Sequence, residues 1–299
     1  MAAWSGEKGV MQRLDRRTFL AGLSAALTGP AMARGPGALA VIAAYEAATG
    51  GHVGLYARNV ATGRTIAWRP DERMVMCSTF KASLAACVLA RVDRGRARLA
   101  DRLRLDAADV QDWHAPVARA NLARGAMSVG EMCRAVVEQS DNSCANILLR
   151  EIGGPAGMTR FWRALGDDVT RLDDVEPVLN RTPPGGIRST TTARSMATIL
   201  ETLTLGPVLS TGSRATLVAW LKGCRTGDNR LRAGLPDGWA VGDKTGNNGR
   251  DAAGDIALVW PRPGAPIVVS VYTRGGSPVE AQFAALFAGI GRAVAATLA

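Results

Sequence analysis

Two of the four lysines in this 299-residue chain sit in short motifs beside hydroxyl-bearing residues. Lys81 follows Ser78 by three positions in Ser78-Thr79-Phe80-Lys81, and Lys244 opens Lys244-Thr245-Gly246. The remaining positive charge is written almost entirely as arginine, 32 residues of it. A guanidinium is permanently protonated, whereas a buried amine can release its proton. A lysine retained beside a serine against that background points to a base that activates a hydroxyl nucleophile. At the start of a helix the i, i+3 spacing puts Ser78 and Lys81 on one face, within hydrogen-bond reach.

Three further segments qualify as chemistry. Ser140-Asp141-Asn142 lies 62 residues after Ser78, between two helical patterns, where Asp141 and Asn142 alone would read as a helix N-cap. Lys244-Thr245-Gly246 ends a strand pattern and alone would be a strand-to-turn transition. Arg171 to Thr190 is a long polar stretch with Pro177, Pro183-Pro184 and Gly185-Gly186. A loop of that length inside a compact domain is usually functional. It carries Glu176-Pro177-Val178-Leu179-Asn180, whose carboxylate would in isolation be an ordinary solvated one.

The elements that must position these residues follow from periodicity. Ala38 to Thr49 is Ala-rich and helical. Val53 to Val60 and Arg64 to Trp68 alternate about Ala61-Thr62-Gly63, a hairpin signal. Helical periods cover Ser78–Asp93, Val129–Gln139, Asn142–Ile152, Met158–Leu165 and Thr191–Leu203. Strand patterns return at Trp239–Thr245, Asp255–Trp260 and Ile267–Tyr272, and an apolar helix covers about Pro278 to Thr297. Strands at both ends with helices between predict an α/β (α+β) fold. An antiparallel sheet built from both chain termini is flanked by helices and interrupted by an all-α insertion. The expected division is 34–69 with 222–299 for the α/β domain, and 70–221 for the all-α domain, including the loop 171–190.

Bulk properties exclude several classes. The net charge is +10, but arginine is scattered, and three Tyr and five Phe offer little for base stacking, so nucleic acid is not an expected partner. No C-x-x-C pair occurs, and with His52 and His114 the only histidines, no metal or other cofactor is expected. The five cysteines, Cys77, Cys87, Cys133, Cys144 and Cys224, leave at least one thiol outside any intrachain pairing. Arg16-Arg17-Thr18-Phe19-Leu20, an apolar run to Met32 and Ala31-Met32-Ala33 fit a twin-arginine signal peptide over 1–33. That run is too short to span a bilayer. The expected product is a periplasmic protein without a membrane span once the signal is removed.

Taken together, Ser-x-x-Lys, Ser-Asp-Asn, Glu-x-x-x-Asn and Lys-Thr-Gly in this order resemble the class A serine β-lactamases over essentially the whole mature chain. The resemblance implies a monomer acting on small-molecule β-lactams. It makes Ser78 the acylated nucleophile, with the backbone N–H groups of Ser78 and Asn247 as oxyanion hole. Lys81, or Glu176 through a water, would activate Ser78. Glu176 with Asn180 would hold the deacylating water, and Ser140 would protonate the leaving nitrogen. Asn142 would bind the acylamide; Lys244, Thr245 and Gly246, aided by Arg230, would receive the substrate carboxylate. His114 falls near the family's aromatic gatepost. The rivals are a DD-peptidase or penicillin-binding protein, which lacks the Glu176–Asn180 pair, and a non-catalytic β-lactam sensor.

The chain departs from the family in three places. Asp174 and Ser189 stand where many members carry a bridging Arg and Asp, so Arg188 or Arg171 is expected to pair with Asp174 or Asp173 and close the loop. Cys77 matches a cysteine that carbapenem-hydrolysing members bridge to one just past Lys-Thr-Gly, but Asn247 and Asn248 occupy that region. Cys133 matches a disulfide position whose partner is here Ala85, with Cys87 two residues away.

Overall fold

The structure, a computed structural model, describes residues 36–183, 185–261 and 265–299. The export signal expected over 1–33 lies outside them. The Ala-rich segment forms α1 (Pro36–Thr49), and Gly50, at φ 71°, turns the chain into β1 (His52–Asn59). Asn59 Oδ1 accepts from Ala61 N and Thr62 N at 3.0 Å each, which sets the turn into β2 (Thr65–Trp68).

The middle of the chain is mostly helical. In order come β3 (Met74–Val75), α2 (Phe80–Asp93), β4 (Arg102–Arg104), α3 (Pro116–Asn121), β5 (Ala126–Ser128), α4 (Val129–Glu138), α5 (Asn142–Glu151) and α6 (Gly154–Ala164). Then follow β6 (Thr190–Thr191), α7 (Ala193–Thr204), α8 (Thr211–Lys222), β7 (Ala240–Asn247), β8 (Ala253–Trp260), β9 (Ile267–Arg274) and α9 (Glu280–Leu298). The five-stranded sheet has the order β2-β1-β9-β8-β7, antiparallel throughout, so both ends of the chain contribute strands as expected. The pairs β3–β6 and β4–β5 form separate two-stranded ladders.

The sheet is covered on both faces, and alternation along its strands divides two cores. Ala257, Val259, Val269 and Val271 pack with Ile42 of α1 and Phe287, Ile290 and Val294 of α9. Ile256, Leu258, Val268 and Tyr272 point the other way, into a larger core with α2, α4, α5 and α7. By length and composition α9 could cross a bilayer, but its apolar face is spent on α1 and the sheet. Helix α2 is buried from Phe80 to Ala90 and is apolar nearly all round, as a central helix must be. Its one charged residue in that run is Lys81.

Local signals account for most boundaries. Ser128 and Glu131 form a reciprocal capping box on α4, and Ser210 caps α8 through Ser213 N. Helix α6 starts at Gly154, four residues ahead of the periodic segment, after Gly153 in the left-handed region at φ 89°. Helices α3 and α8 and the short ladders have no counterpart among the periodic segments of the sequence. Strands of two or three residues are too short to show a period.

Candidate active site

Ser78 lies in a 3₁₀ turn, Cys77–Thr79, that leads directly into α2. Cys77 is held at φ 46°, an uncommon conformation for a side-chain-bearing residue, and such strain, about 1–3 kcal/mol, persists where the surroundings over-determine it. The turn is pinned by Thr79 Oγ1 to Met76 O at 2.6 Å and by the Thr79–Tyr272 hydroxyl pair at 2.7 Å. One helical turn on, Lys81 Nζ donates to Ser78 Oγ at 2.8 Å, to Ser140 O at 2.8 Å and to Asn142 Oδ1 at 2.5 Å. Its side chain is fully buried, as is that of Glu176, whose Oε1 is 3.0 Å from Nζ.

The Ser140-Asp141-Asn142 segment divides its labour. Asp141 is indeed the N-cap of α5, accepting from Cys144 N at 2.9 Å, and its second oxygen accepts from Val117 N and Ala118 N. That ties α3 to α5. The cap turns Ser140, at φ 58°, and Asn142 towards Lys81. Lys244, on β7, donates to Ser140 Oγ at 3.0 Å and to Thr245 O at 2.6 Å. Burial is the main force on this ammonium and pushes its pKa from 10.5 down to about 8, with the Cys224 thiol opposing and Lys81 adding to the shift.

Behind Lys244, Asp243 pairs with Arg232 at 2.5 Å, yet burial still raises its carboxyl above the usual range. Asp255, fully buried and unpaired, is held well above its ordinary value by burial and by Asp243. On the cleft side of β7, Gly246 approaches the nucleophile closely; a Cβ there would sit 2.8 Å from Ser78 N. Thr245 Oγ1 shares a 2.5 Å hydrogen bond with Thr226 Oγ1.

The long loop delivers the carboxylate. Glu176 Oε1 accepts from Ser78 Oγ at 3.0 Å, and Asn180 Nδ2 donates to Glu176 Oε2 at 2.6 Å. The Glu176–Pro177 bond is cis. Asn146, from α5, clamps the backbone of Glu176 from both sides: Glu176 N donates to Asn146 Oδ1 at 3.0 Å, and Asn146 Nδ2 donates to Glu176 O at 2.9 Å. The neck of the loop is closed by the Arg188–Asp174 ion pair at 2.7 Å, while Arg171 pairs locally with Asp173 at 2.5 Å and holds that carboxylate in place. Asp173 also accepts from Ser189 N at 2.7 Å, so the replacement for the family's bridge includes a backbone tie across the neck.

These groups meet at a cleft of about 300 Å³. Ser78, Ser140, Asn142, Thr245, Gly246 and Asn247 line it, with Arg230 and His114 at its ends. Lys81, Lys244, Glu176 and Asn180 stand behind that lining. The buried Arg230 guanidinium stacks over Phe283 and Phe287 at 5.6 and 5.2 Å. Its Nη1 is 3.0 Å from Glu280 Oε1 but off-line, so no hydrogen bond forms.

Three residues of the site escaped the sequence reading. Trp113, 41% exposed, borders the cleft mouth, whereas the neighbouring His114 has its ring nitrogen bonded to Gln139 O at 2.8 Å. The aromatic gatepost is therefore Trp113. Its adjacency to His114 was the available signal; both side chains are exposed, and the hydrogen bond that ties the His114 ring to Gln139 O separates the two. Asn146 and Thr226 had no motif to mark them. All five cysteines are free thiols, and Cys77 Sγ faces Ala252 O at 4.0 Å rather than another sulfur.

A serine hydroxyl between a buried lysine and a buried glutamate, with a second lysine behind the neighbouring serine, is the constellation of a serine acyl-transfer enzyme. The family model described as "Beta-lactamase enzyme family" matches residues 39–298. The chain is 42% identical over 297 residues to beta-lactamase L2 of Stenotrophomonas maltophilia, covering 93% of this chain and 97% of that protein. It is 43% identical over 244 residues to the carbapenem-hydrolyzing beta-lactamase KPC of Klebsiella oxytoca, covering 81% and 83%. Among solved structures, a beta lactamase from Xanthomonas campestris pv. campestris superposes with a TM-score of 0.84 at 43% identity, covering 88% of this chain and 97% of that one. The ancestral class A beta-lactamase GNCA superposes at 0.81 with 50% identity, covering 84% and 96%. The chain belongs to the class A β-lactamase family and is a β-lactam hydrolase.

Proposed function

We propose that the protein opens penicillin and cephalosporin rings through an acyl-enzyme on Ser78, conferring resistance to these drugs. Three protons of the Lys81 ammonium match three acceptors, Ser78 Oγ, Ser140 O and Asn142 Oδ1. The Ser78 hydroxyl proton is then directed at Glu176 Oε1. This arrangement supports Glu176 as the acceptor of that proton, directly or through a water, as Oγ attacks the lactam carbonyl carbon. The oxyanion that forms is held by the N–H groups of Ser78 and Asn247, each such donor being worth about 10²–10³ in rate. The C–N bond breaks as Ser140 gives its proton to the ring nitrogen, with Lys244 stabilising the transient Ser140 alkoxide. The proton held by Glu176 then passes by way of Lys81 to Ser140, which restores both groups before deacylation. Asn142 holds the acylamide, while Lys244, Thr245 and Arg230 receive the ring carboxylate.

Deacylation reverses the proton flow: Glu176 takes a proton from a water positioned with Asn180, the water oxygen attacks the ester carbonyl, and Ser78 Oγ leaves carrying a proton. The observation that carries this reading over a DD-peptidase is Glu176, clamped by Asn146 and Asn180 at 3.0 Å from the nucleophile. The twin-arginine pattern expected at Arg16-Arg17 supports a protein exported to the periplasm, and every group used in this chemistry comes from one chain, in keeping with a monomer. Steady-state hydrolysis of a chromogenic cephalosporin, with intact-protein mass spectrometry of wild type and Glu176→Ala, tests it. The wild type should turn over and Glu176→Ala should accumulate the drug adduct. Stoichiometric acylation of the wild type without turnover would replace the reading with that of a penicillin-binding protein.

A further inference from the structure

Arginine is scattered over the chain as a whole, yet six of the fourteen residues from 91 to 104 are arginine, against two aspartates, Asp93 and Asp101. No Phe, Tyr or Trp lies among them. Arg91 sits in the last turn of α2, where a cation complements the helix dipole. Arg94 and Arg96 lie beyond that turn and are exposed, in a bend tied by Arg96 N to Arg91 O at 2.8 Å. Among the described residues Arg98 pairs with Asp101 and Arg104 with Asp106, whereas Arg91, Arg94 and Arg96 form no ion pair. The Asp93 carboxylate is turned towards α8, accepting from Ser210 N at 2.8 Å, Ser210 Oγ at 2.7 Å and Ser213 Oγ at 2.6 Å. That clip sets the first turn of α8 beside the bend. Helix α8 holds no Asp or Glu and adds Arg214, whose guanidinium donates to Gly206 O at 2.6 Å.

The place of this cationic end in the fold gives it a use. Ser78 leads into the first turn of α2, and the 14 residues of that helix put the Arg94–Arg96 bend about 21 Å further along its axis. A flat surface that meets the bend therefore meets the end of α2 remote from the nucleophile. We propose that Arg91, Arg94 and Arg96, flanked by Arg214, form a docking face for an anionic lipid surface. The face would hold the protein reversibly at a membrane with its cleft open to solvent. Charge complementarity argues for this partner: guanidinium groups meet phosphate headgroups through charge-assisted hydrogen bonds, and a cluster of them is drawn to a negatively charged bilayer. Single-stranded nucleic acid also offers phosphates, but its binding proteins interleave aromatic side chains for stacking, and this segment has none. The periplasmic location proposed above makes lipid headgroups the phosphates at hand.

The test is co-sedimentation with vesicles of phosphatidylglycerol mixed with phosphatidylcholine, at low and at physiological ionic strength. It compares wild type, Arg91→Gln, Arg94→Gln, Arg96→Gln, their triple variant, and a control triple, Arg64→Gln with Arg160→Gln and Arg292→Gln. The control removes three exposed arginines elsewhere and so has the same net charge as the first triple. An arginine near such a surface is worth about fivefold in partitioning, so each single variant should bind about fivefold less and the first triple about 100-fold less. The control triple should lose no more than about threefold, and salt should weaken the wild type. Vesicles of phosphatidylcholine alone should retain none of these proteins. Vesicle-bound wild type should hydrolyse a chromogenic cephalosporin as fast as it does in solution. Equal losses in the two triples would assign the attraction to net charge and overturn the face, as would equal binding to phosphatidylcholine alone. Slower hydrolysis on vesicles would put the cleft against the membrane and overturn the docking geometry. Tighter retention on duplex DNA than on the anionic vesicles at equal salt would overturn lipid as the partner. Thermal melting separates lost binding from lost folding, and the single variants carry the comparison if the triple does not fold.

Discussion

Lys244 should impose an alkaline limit on activity that a guanidinium removes. Its ammonium is fully buried and its pKa is lowered to about 8, so it is about nine-tenths charged at pH 7 and about one-tenth charged at pH 9. If the charged form is needed to receive the substrate carboxylate, kcat/KM should fall about tenfold between those two values. That parameter reports the free enzyme. A bound carboxylate stabilises the ammonium, so the limb in kcat should lie at higher pH than the limb in kcat/KM. In Lys244→Arg the cation persists beyond pH 12, and the limb should vanish. The bulkier head must still reach Ser140 Oγ and Thr245 O in a site without spare exposure, so its plateau should drop by about 10- to 100-fold. The assay is kcat/KM for a chromogenic cephalosporin from pH 6 to 10 in a constant-ionic-strength buffer. A wild-type profile flat to pH 9.5, or the same limb in Lys244→Arg, would refute the reasoning. Stability should move oppositely. The unfolded chain binds the extra proton between about pH 8 and 10.5, so burying this lysine becomes less unfavourable as pH rises through that window.

Lys81→Arg should reduce single-turnover acylation about 10²–10⁴-fold, because the larger planar cation cannot meet Ser78, Ser140 and Asn142 from one atom; acylation within tenfold of wild type would contradict this. Burial and the neighbouring Asp243 favour the protonated form of Asp255, whose one hydrogen bond is from Leu231 N; if it is neutral in the fold, Asp255→Asn should melt within about 0.5 kcal/mol of wild type. Asp255→Ala should lose about 1–3 kcal/mol in urea unfolding, and equal damage from both would show that the carboxylate is ionised. Asp173→Ala removes the acceptor shared by Arg171 and Ser189 N and should expose 171–190 to limited proteolysis while leaving Ser78 acylation intact. A cleavage rate equal to wild type would assign the closure of the neck elsewhere.

The legible parts of the molecule are those where one residue type has few alternatives. Lysine scarcity isolated Lys81 and Lys244, and both prove to be buried at the centre of the site. The hairpin at Ala61-Thr62-Gly63 and the long helices announced themselves by period and cap. What stayed hidden is set by tertiary contact. Asn146 is an unremarkable helix residue until the loop folds across it. Trp113 and His114 are adjacent and both exposed, and only the tertiary tie of the His114 ring to Gln139 O leaves Trp113 to guard the mouth. The closure of the loop neck was recognisable as a charge swap, since Asp174 and Ser189 replace both partners of the family's bridge and Arg171 and Arg188 stand near those two positions. The backbone tie from Ser189 to Asp173 was not, because backbone donors carry no sequence signature.

The same groups that would run the reaction are poor contributors to the fold. A fully buried lysine–glutamate pair seldom recovers its desolvation through Coulomb attraction alone. Lys244 shares the interior with Asp243 and Asp255 yet still loses affinity for its proton. Cys77 and Ser140 hold left-handed backbone on either side of the nucleophile. In the proposed reaction a β-lactam would complete these interactions: its ring carboxylate would reach Lys244 and Arg230, and its carbonyl oxygen would meet N–H groups fixed by the strained turn. Substitutions that stabilise the free protein here, such as replacing Lys244 by an isosteric apolar side chain, should therefore raise its melting temperature while lowering kcat/KM. A variant that gained both would show that these buried charges serve the fold rather than the substrate.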